Sequence, residues 1–195
     1  MIRTICSSLS SGALFALTAA VSQAAIIESE PNNTPATADA IAIGAVPYAD
    51  AGVLTLNAGG VDVFSVDLSL GDVLVANATG LKGLPLGSNP DVVLGIFDSA
   101  ETLVAFDDDA GLEYGASIGY VIPSTGLYYV AVSGYDGDLS YPTLGDSFAT
   151  ANMFDGGHPE SGSYLLALSV TPSVPEPVAT LLLIGGLVPA LRRVR

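Results

Sequence analysis

Thiol chemistry is almost absent from this sequence. Its one cysteine, Cys6, lies in an N-terminal stretch that reads as a removable signal. The chain beyond that stretch therefore forms no disulfide, presents no thiolate nucleophile and offers no cysteine-based zinc site. Histidine is equally scarce. His158 stands alone, which excludes multi-histidine metal centres and leaves a Ser-His-Asp arrangement a single candidate. Its setting, Gly156-Gly157-His158-Pro159, predicts an exposed, non-catalytic loop residue. Positive charge is the third scarcity. The basic residues are Arg3, Lys82, Arg192, Arg193 and Arg195, so all but Lys82 lie in the terminal segments. Between positions 25 and 175, nineteen acidic side chains face Lys82 alone, a net charge of −18. Binding phosphate takes clustered Lys and Arg, so this region excludes nucleic acid and anionic lipid as partners. It suits a soluble extracellular body or one that collects cations.

Both ends carry export signals. Arg3, the apolar run 12–21 and the small residues of Ser22-Gln23-Ala24 form the three parts of a secretory signal peptide over 1–24. The run is about ten residues, half of what a bilayer span needs. The Sec machinery and signal peptidase are the partners implied, with cleavage after Ala24. At the other end, Val174-Pro175-Glu176-Pro177 precedes an apolar run at 178–191 and then Arg192-Arg193-Val194-Arg195. Two prolines keep the first part stiff and extended. The run predicts a short hydrophobic helix, and the arginines hold its end on the cytoplasmic side.

The body between them reads as all-β. Phe64, Val66 and Leu68 alternate with polar residues, as do Tyr128, Val130 and Val132, and again Tyr164, Leu166, Leu168 and Val170. Further strands are predicted at 73–78, 92–97, 102–106 and 117–122. The segment 98–101 makes a hairpin turn, and Pro123-Ser124-Thr125-Gly126 makes another turn. About eight short strands predict an antiparallel β-sandwich of jelly-roll type over 45–170, behind an acidic entrance segment at 25–44.

Two resemblances follow from these residues. The Val174–Pro177 motif, the apolar run with Gly185-Gly186 and the basic end resemble the PEP-CTERM sorting signal of Gram-negative bacteria. That resemblance implies recognition of 171–195 by an exosortase, a membrane cysteine transpeptidase. It also implies transient inner-membrane anchoring by the tail, a final place at the cell surface or in the extracellular matrix, and company with extracellular polysaccharide. The body is similar to the bacterial pre-peptidase C-terminal domain, a small non-proteolytic sandwich. The matching stretches are Glu30-Pro31-Asn32-Asn33-Thr34, the segments 61–66, 91–98, 106–109 and 125–132, and Gly162-Ser163-Tyr164-Leu165-Leu166. A partner of a secreted protease is a further role that this company implies.

Chemistry concentrates in three places. In an extended chain every second side chain points the same way, so Glu28, Glu30 and Asn32, with Asn33 beside them, are calcium-ligand candidates. The resemblance adds Asp62 to that set and expects a second aspartate where Gly59 stands. The run Asp107-Asp108-Asp109 is a second acidic cluster, placed in a loop. The long segment 134–162 mixes Tyr135, Tyr141, Phe148 and Phe154 with carboxylates, a combination that can stack on sugar rings. No pair of acids is set apart for catalysis, so the expected function is a non-enzymatic binding or structural protein. The alternative is a carbohydrate-binding module or carbohydrate-active enzyme.

Overall fold

The computed structural model describes residues 25–82 and 89–172. The signal peptide, the sorting residues Val174 to Pro177, Arg192 and Arg193, and the expected C-terminal helix lie outside these. Among the described residues nine strands run in order: β1 (Asp39–Ala40), β2 (Tyr48–Leu56), β3 (Asp62–Leu68), β4 (Val73–Gly80), β5 (Val92–Phe97), β6 (Leu103–Asp107), β7 (Ala116–Val121), β8 (Gly126–Gly134) and β9 (Gly162–Thr171). They form a five-stranded sheet, β1-β3-β8-β5-β6, facing a four-stranded sheet, β2-β9-β4-β7. Apart from β1, this interleaving is the jelly roll that the strand spacing predicts.

One feature departs from a purely antiparallel sandwich. β1 runs parallel to β3, with Asp39 opposite Phe64, so the larger sheet is mixed. The entrance segment is thus part of the sheet. A 3-10 turn at Pro35–Thr37 bends it, and Ile41 N then donates to Ser65 O at 2.9 Å.

Strand alternation builds the inter-sheet core. Phe64, Val66 and Leu68 from one sheet meet Tyr164, Leu166, Leu168 and Val170 from the other, all buried. The turn at 98–101 forms the expected hairpin, with Asp98 Oδ1 accepting from the backbone N–H groups of Ala100 and Thr102.

A second core lies on the outer face of the larger sheet. Residues 135–161 fold back over it, so Phe148, Ala151, Met153 and Phe154 pack on Val63, Val93, Phe97 and Leu103. The uninterrupted apolar run of β5, buried at every position, is the local signature of a strand covered on both faces. His158 belongs to this layer. It is 3% exposed, and its Nε2 lies 2.6 Å from Gly60 O, which corrects the expectation of an exposed loop histidine. The physical reason is a close approach. The chain returning to β9 crosses Gly59 and Gly60, where no side chain keeps it away.

Candidate cation site at the chain entrance

The entrance segment is held against two strands by its own acids. Ile26 is buried, and its carbonyl approaches Gly52 so closely that any Cβ there would clash. Glu28 Oε1 then accepts from Thr55 N at 2.8 Å, capping an edge position of β2. Two residues on, Glu30 Oε1 accepts from Asn57 Nδ2 at 2.7 Å, and its other oxygen accepts from Asn32 N at 3.2 Å. Asn32 O accepts from Val63 N at 3.0 Å, tying the segment to β3. Glu28 and Glu30, two residues apart, thus both reach the C-terminal end of β2 and the residue just beyond it.

Asp62 enters from the first position of β3 and is fully buried. Tyr164 OH donates to its Oδ2 at 2.6 Å. The Glu28 and Asp62 carboxyl groups are neighbours that hydrogen-bond when one of them holds a proton. Burial pushes Asp62 up to about 8 against the opposing Tyr164 hydrogen bond, with the Glu28 and Glu30 charges adding to the shift. Burial likewise raises Glu28, offset in part by the Thr55 N–H, while the charges of Glu30 and Asp39 raise it further. Tyr164 is held well above the usual phenol range by burial and by Asp62.

Three oxygens here are shielded from solvent and lack a hydrogen-bond donor: Glu28 Oε2, Asn32 Oδ1 and Asp62 Oδ1. Buried acceptors left unmatched cost about 1–3 kcal/mol each. A proton between the facing carboxyl groups would satisfy Glu28 and Asp62, but does nothing for Asn32. Oxygens of this kind are the ligands a hard cation takes, calcium binding six to eight of them. Glu28, Glu30 and Asp62 do not close into a triad as tight as the second cluster described below.

Two residues missing from the sequence reading complete the arrangement. Asp39 Oδ2 accepts from Ser29 N at 2.8 Å and from Asn32 Nδ2 at 3.1 Å. The second bond commits the amide nitrogen of Asn32 to Asp39 and leaves its oxygen free. Asp39 arrives through the parallel pairing of β1, which leaves no mark in sequence spacing. Tyr164 reads from sequence as a core residue, which it is, with its hydroxyl turned to Asp62. Asn33 is exposed and takes no part in these contacts.

Gly59 is explained by the third layer. It adopts φ +70°, donates its N–H to His158 O at 3.0 Å, and would set a Cβ 2.8 Å from Gly156 O. An aspartate is therefore sterically barred at this position. Gly59→Asp is expected to cost about 2–4 kcal/mol of stability, from positive φ and backbone collision. Urea denaturation measures it, and a loss under 0.5 kcal/mol would refute this account.

The acidic run 107–109 divides in two. Asp107 Oδ2 accepts from Ala110 N at 3.0 Å and Ser117 N at 2.8 Å, a turn role. Asp108 and Asp109 instead join Asp91, with carboxylate oxygens within 4.8 Å of one another. Burial pushes Asp91 up to about 6, aided by the charges of Asp108, Asp109 and Glu160. Tyr141 OH donates to Asp108 Oδ2 at 2.8 Å and remains 55% exposed. Of the loop aromatics, Phe148 and Phe154 are core residues, so stacking on a ligand is left to Tyr135 and Tyr141.

No protein-family model matches the chain, and no curated relative matches it. Among solved structures it is similar to PliG of Aeromonas hydrophila, a periplasmic inhibitor of g-type lysozyme. That likeness has 9% identity and a TM-score of 0.47, covering 69% of this chain and 96% of that one. It is also similar to the pre-peptidase C-terminal domain of a Bacillus anthracis collagenase, with 16% identity, a TM-score of 0.40, and 72% and 100% covered. Salmonella Typhimurium PliG follows, with 9% identity, a TM-score of 0.38, and 68% and 96% covered. Identity and superposition at this level bear on neither ligand nor partner.

Proposed function

We propose that this chain is an exported, non-catalytic β-sandwich that serves as a binding or structural protein of the cell envelope or extracellular matrix. Calcium at Glu28, Glu30, Asn32 and Asp62 would pin its entrance segment. The observation carrying the calcium part is the group of three buried, unmatched oxygens on three different residues. A cation there would join the entrance segment to β3 and lock the point where the mature chain enters the fold.

The non-catalytic part rests on access. Burial raises Glu28, Asp62, Asp91 and Asp108, yet Asp62 is fully buried and the other three are partly so. None of the four lines the cavities beside β6 and β7, on the outer face of β2 and β9, or around Tyr48. Catalysis needs substrate within hydrogen-bond reach of such groups.

Sorting rests on sequence alone. The Val174-Pro175-Glu176-Pro177 motif, apolar run and Arg192-Arg193 end are what an exosortase-type transpeptidase would read, after export through Sec and removal of 1–24. Deleting 174–195 is expected to move at least about nine-tenths of the protein from the cell-bound fraction to the medium, because the membrane hold is lost. Unchanged retention in a fractionation blot would sink this part of the proposal. Glycan binding is a second reading, kept by Tyr141 standing exposed beside Asp108.

A further inference from the structure

The outer face of the four-stranded sheet differs from the rest of the molecule in charge. Cross-strand register sets its outward side chains in four rows. They are Val53, Leu165 and Thr79; then Ala51, Ala167, Asn77 and Ser117; then Ala49, Ser169, Val75 and Gly119; then Thr171, Val73 and Val121. None of these is charged, in a body whose net charge is −18. The four strands contain a single ionisable acid, Asp50, and its carboxylate is turned to its own strand, taking the N–H of Ala51 at 2.8 Å. The two middle rows hold mostly small side chains between rows bearing Val and Leu, and a shallow hollow of about 370 Å³ opens over Ala49, Ala51, Ala167 and Ser169, with Asp50 as the one carboxylate in its lining.

We infer that this face is where a second copy of the chain docks, sheet against sheet. Charge selects the occupant. Two copies meeting through any acidic surface set several carboxylates against carboxylates, whereas this face brings only Asp50, already engaged by Ala51 N and Tyr48 OH. A basic partner would be drawn to the acidic surfaces instead. A polysaccharide would lack the aromatic platform it stacks on, since the four rows carry no ring. Area sets the strength. Four strands at about 4.8 Å spacing and four rows of side chains cover about 500 Å² per copy. The resulting buried total of about 1,000 Å² stands at the lower bound for a specific interface. The association is therefore weak and reversible, and concentration on a surface makes it effective.

Sedimentation equilibrium of the purified protein, from about 10 μM to about 1 mM, tests this in low salt and in 1 M NaCl. A monomer–dimer equilibrium that tightens at least threefold in high salt is expected, because screening relieves repulsion between the bodies while the contact has no ion pairs to lose. Ala167→Glu should weaken it at least tenfold. Gly119→Asp, at an exposed position with open space around the added Cβ, should do the same without disturbing the fold. Ala100→Glu adds equal charge on an exposed turn elsewhere and should leave the dimer intact. A monomer throughout, a dimer that weakens with salt, or a dimer indifferent to both face variants would each overturn the inference. Melting curves of the variants separate lost docking from lost folding.

Discussion

Chelating calcium from the purified protein at pH 7.5 is expected to lower its melting temperature by about 5–10 °C. A ligand present at a hundred times its Kd and bound only to the native state adds about 2.7 kcal/mol, and a domain of this size shifts by about 2–4 °C per kcal/mol. Asp62→Asn should abolish the calcium response. It should not lower the melting temperature measured in chelator, because the amide oxygen still accepts from Tyr164 and a buried carboxylate has been removed. The pH dependence in chelator has a defined sign. Asp62 and Glu28 bind their protons more tightly folded than unfolded. The stability they contribute is fully present below the unfolded carboxylate pKa near 4. It declines as pH rises and is lost as pH passes about 8, the value for buried Asp62. With calcium bound the slope should flatten, since the metal holds both groups deprotonated. A melting temperature unaffected by calcium, together with a flat chelator profile from pH 5 to 9, would refute the site.

Phe154→Ala is expected to cost about 3–5 kcal/mol, the range for a buried aromatic truncated to alanine. The ring is 3% exposed and meets Phe97 edge-on at 5.3 Å. Its edge also lies over Gly95, where a Cβ would sit 2.6 Å from Cζ. No smaller side chain fills that space from this loop. The loss should be local as well as global, with segment 135–161 cut by protease before the sandwich unfolds. Tyr141→Ala, on an exposed ring in the same segment, should change stability by less than about 0.5 kcal/mol. Equal effects of the two substitutions would mean that the segment is not a packed layer.

Much of the fold is legible because it is written in short-range pattern. Alternation at Phe64, Val66 and Leu68, or at Tyr164 to Val170, reports directly which side chains face the core. Each strand lies between turn residues that stop it. Glu28, Glu30 and Asn32 are legible for the same reason, since period two brings them to one side of an extended chain. Asp39 was not, because β1 is two residues long and finds its place only by pairing with β3. His158 and Gly59 mislead together when only neighbouring residues are considered. One reads as an exposed loop residue and the other as a vacant ligand position, and both impressions vanish once 135–161 is seen lying on the sheet.

The sequence by itself determined eight of the nine strands, their inward faces and the acid excess, since each is a property of neighbouring residues. Tertiary structure alone decided which carboxylates meet. It buried Asp62 against Glu28 and Tyr164, split Asp107 from Asp108 and Asp109, and turned an acidic loop into a third layer. It also gathered the uncharged positions of four separate strands onto one face. The reason is common to all of these. Burial and long-range pairing set the local dielectric and the hydrogen-bond partners, and those set what an acidic side chain can do.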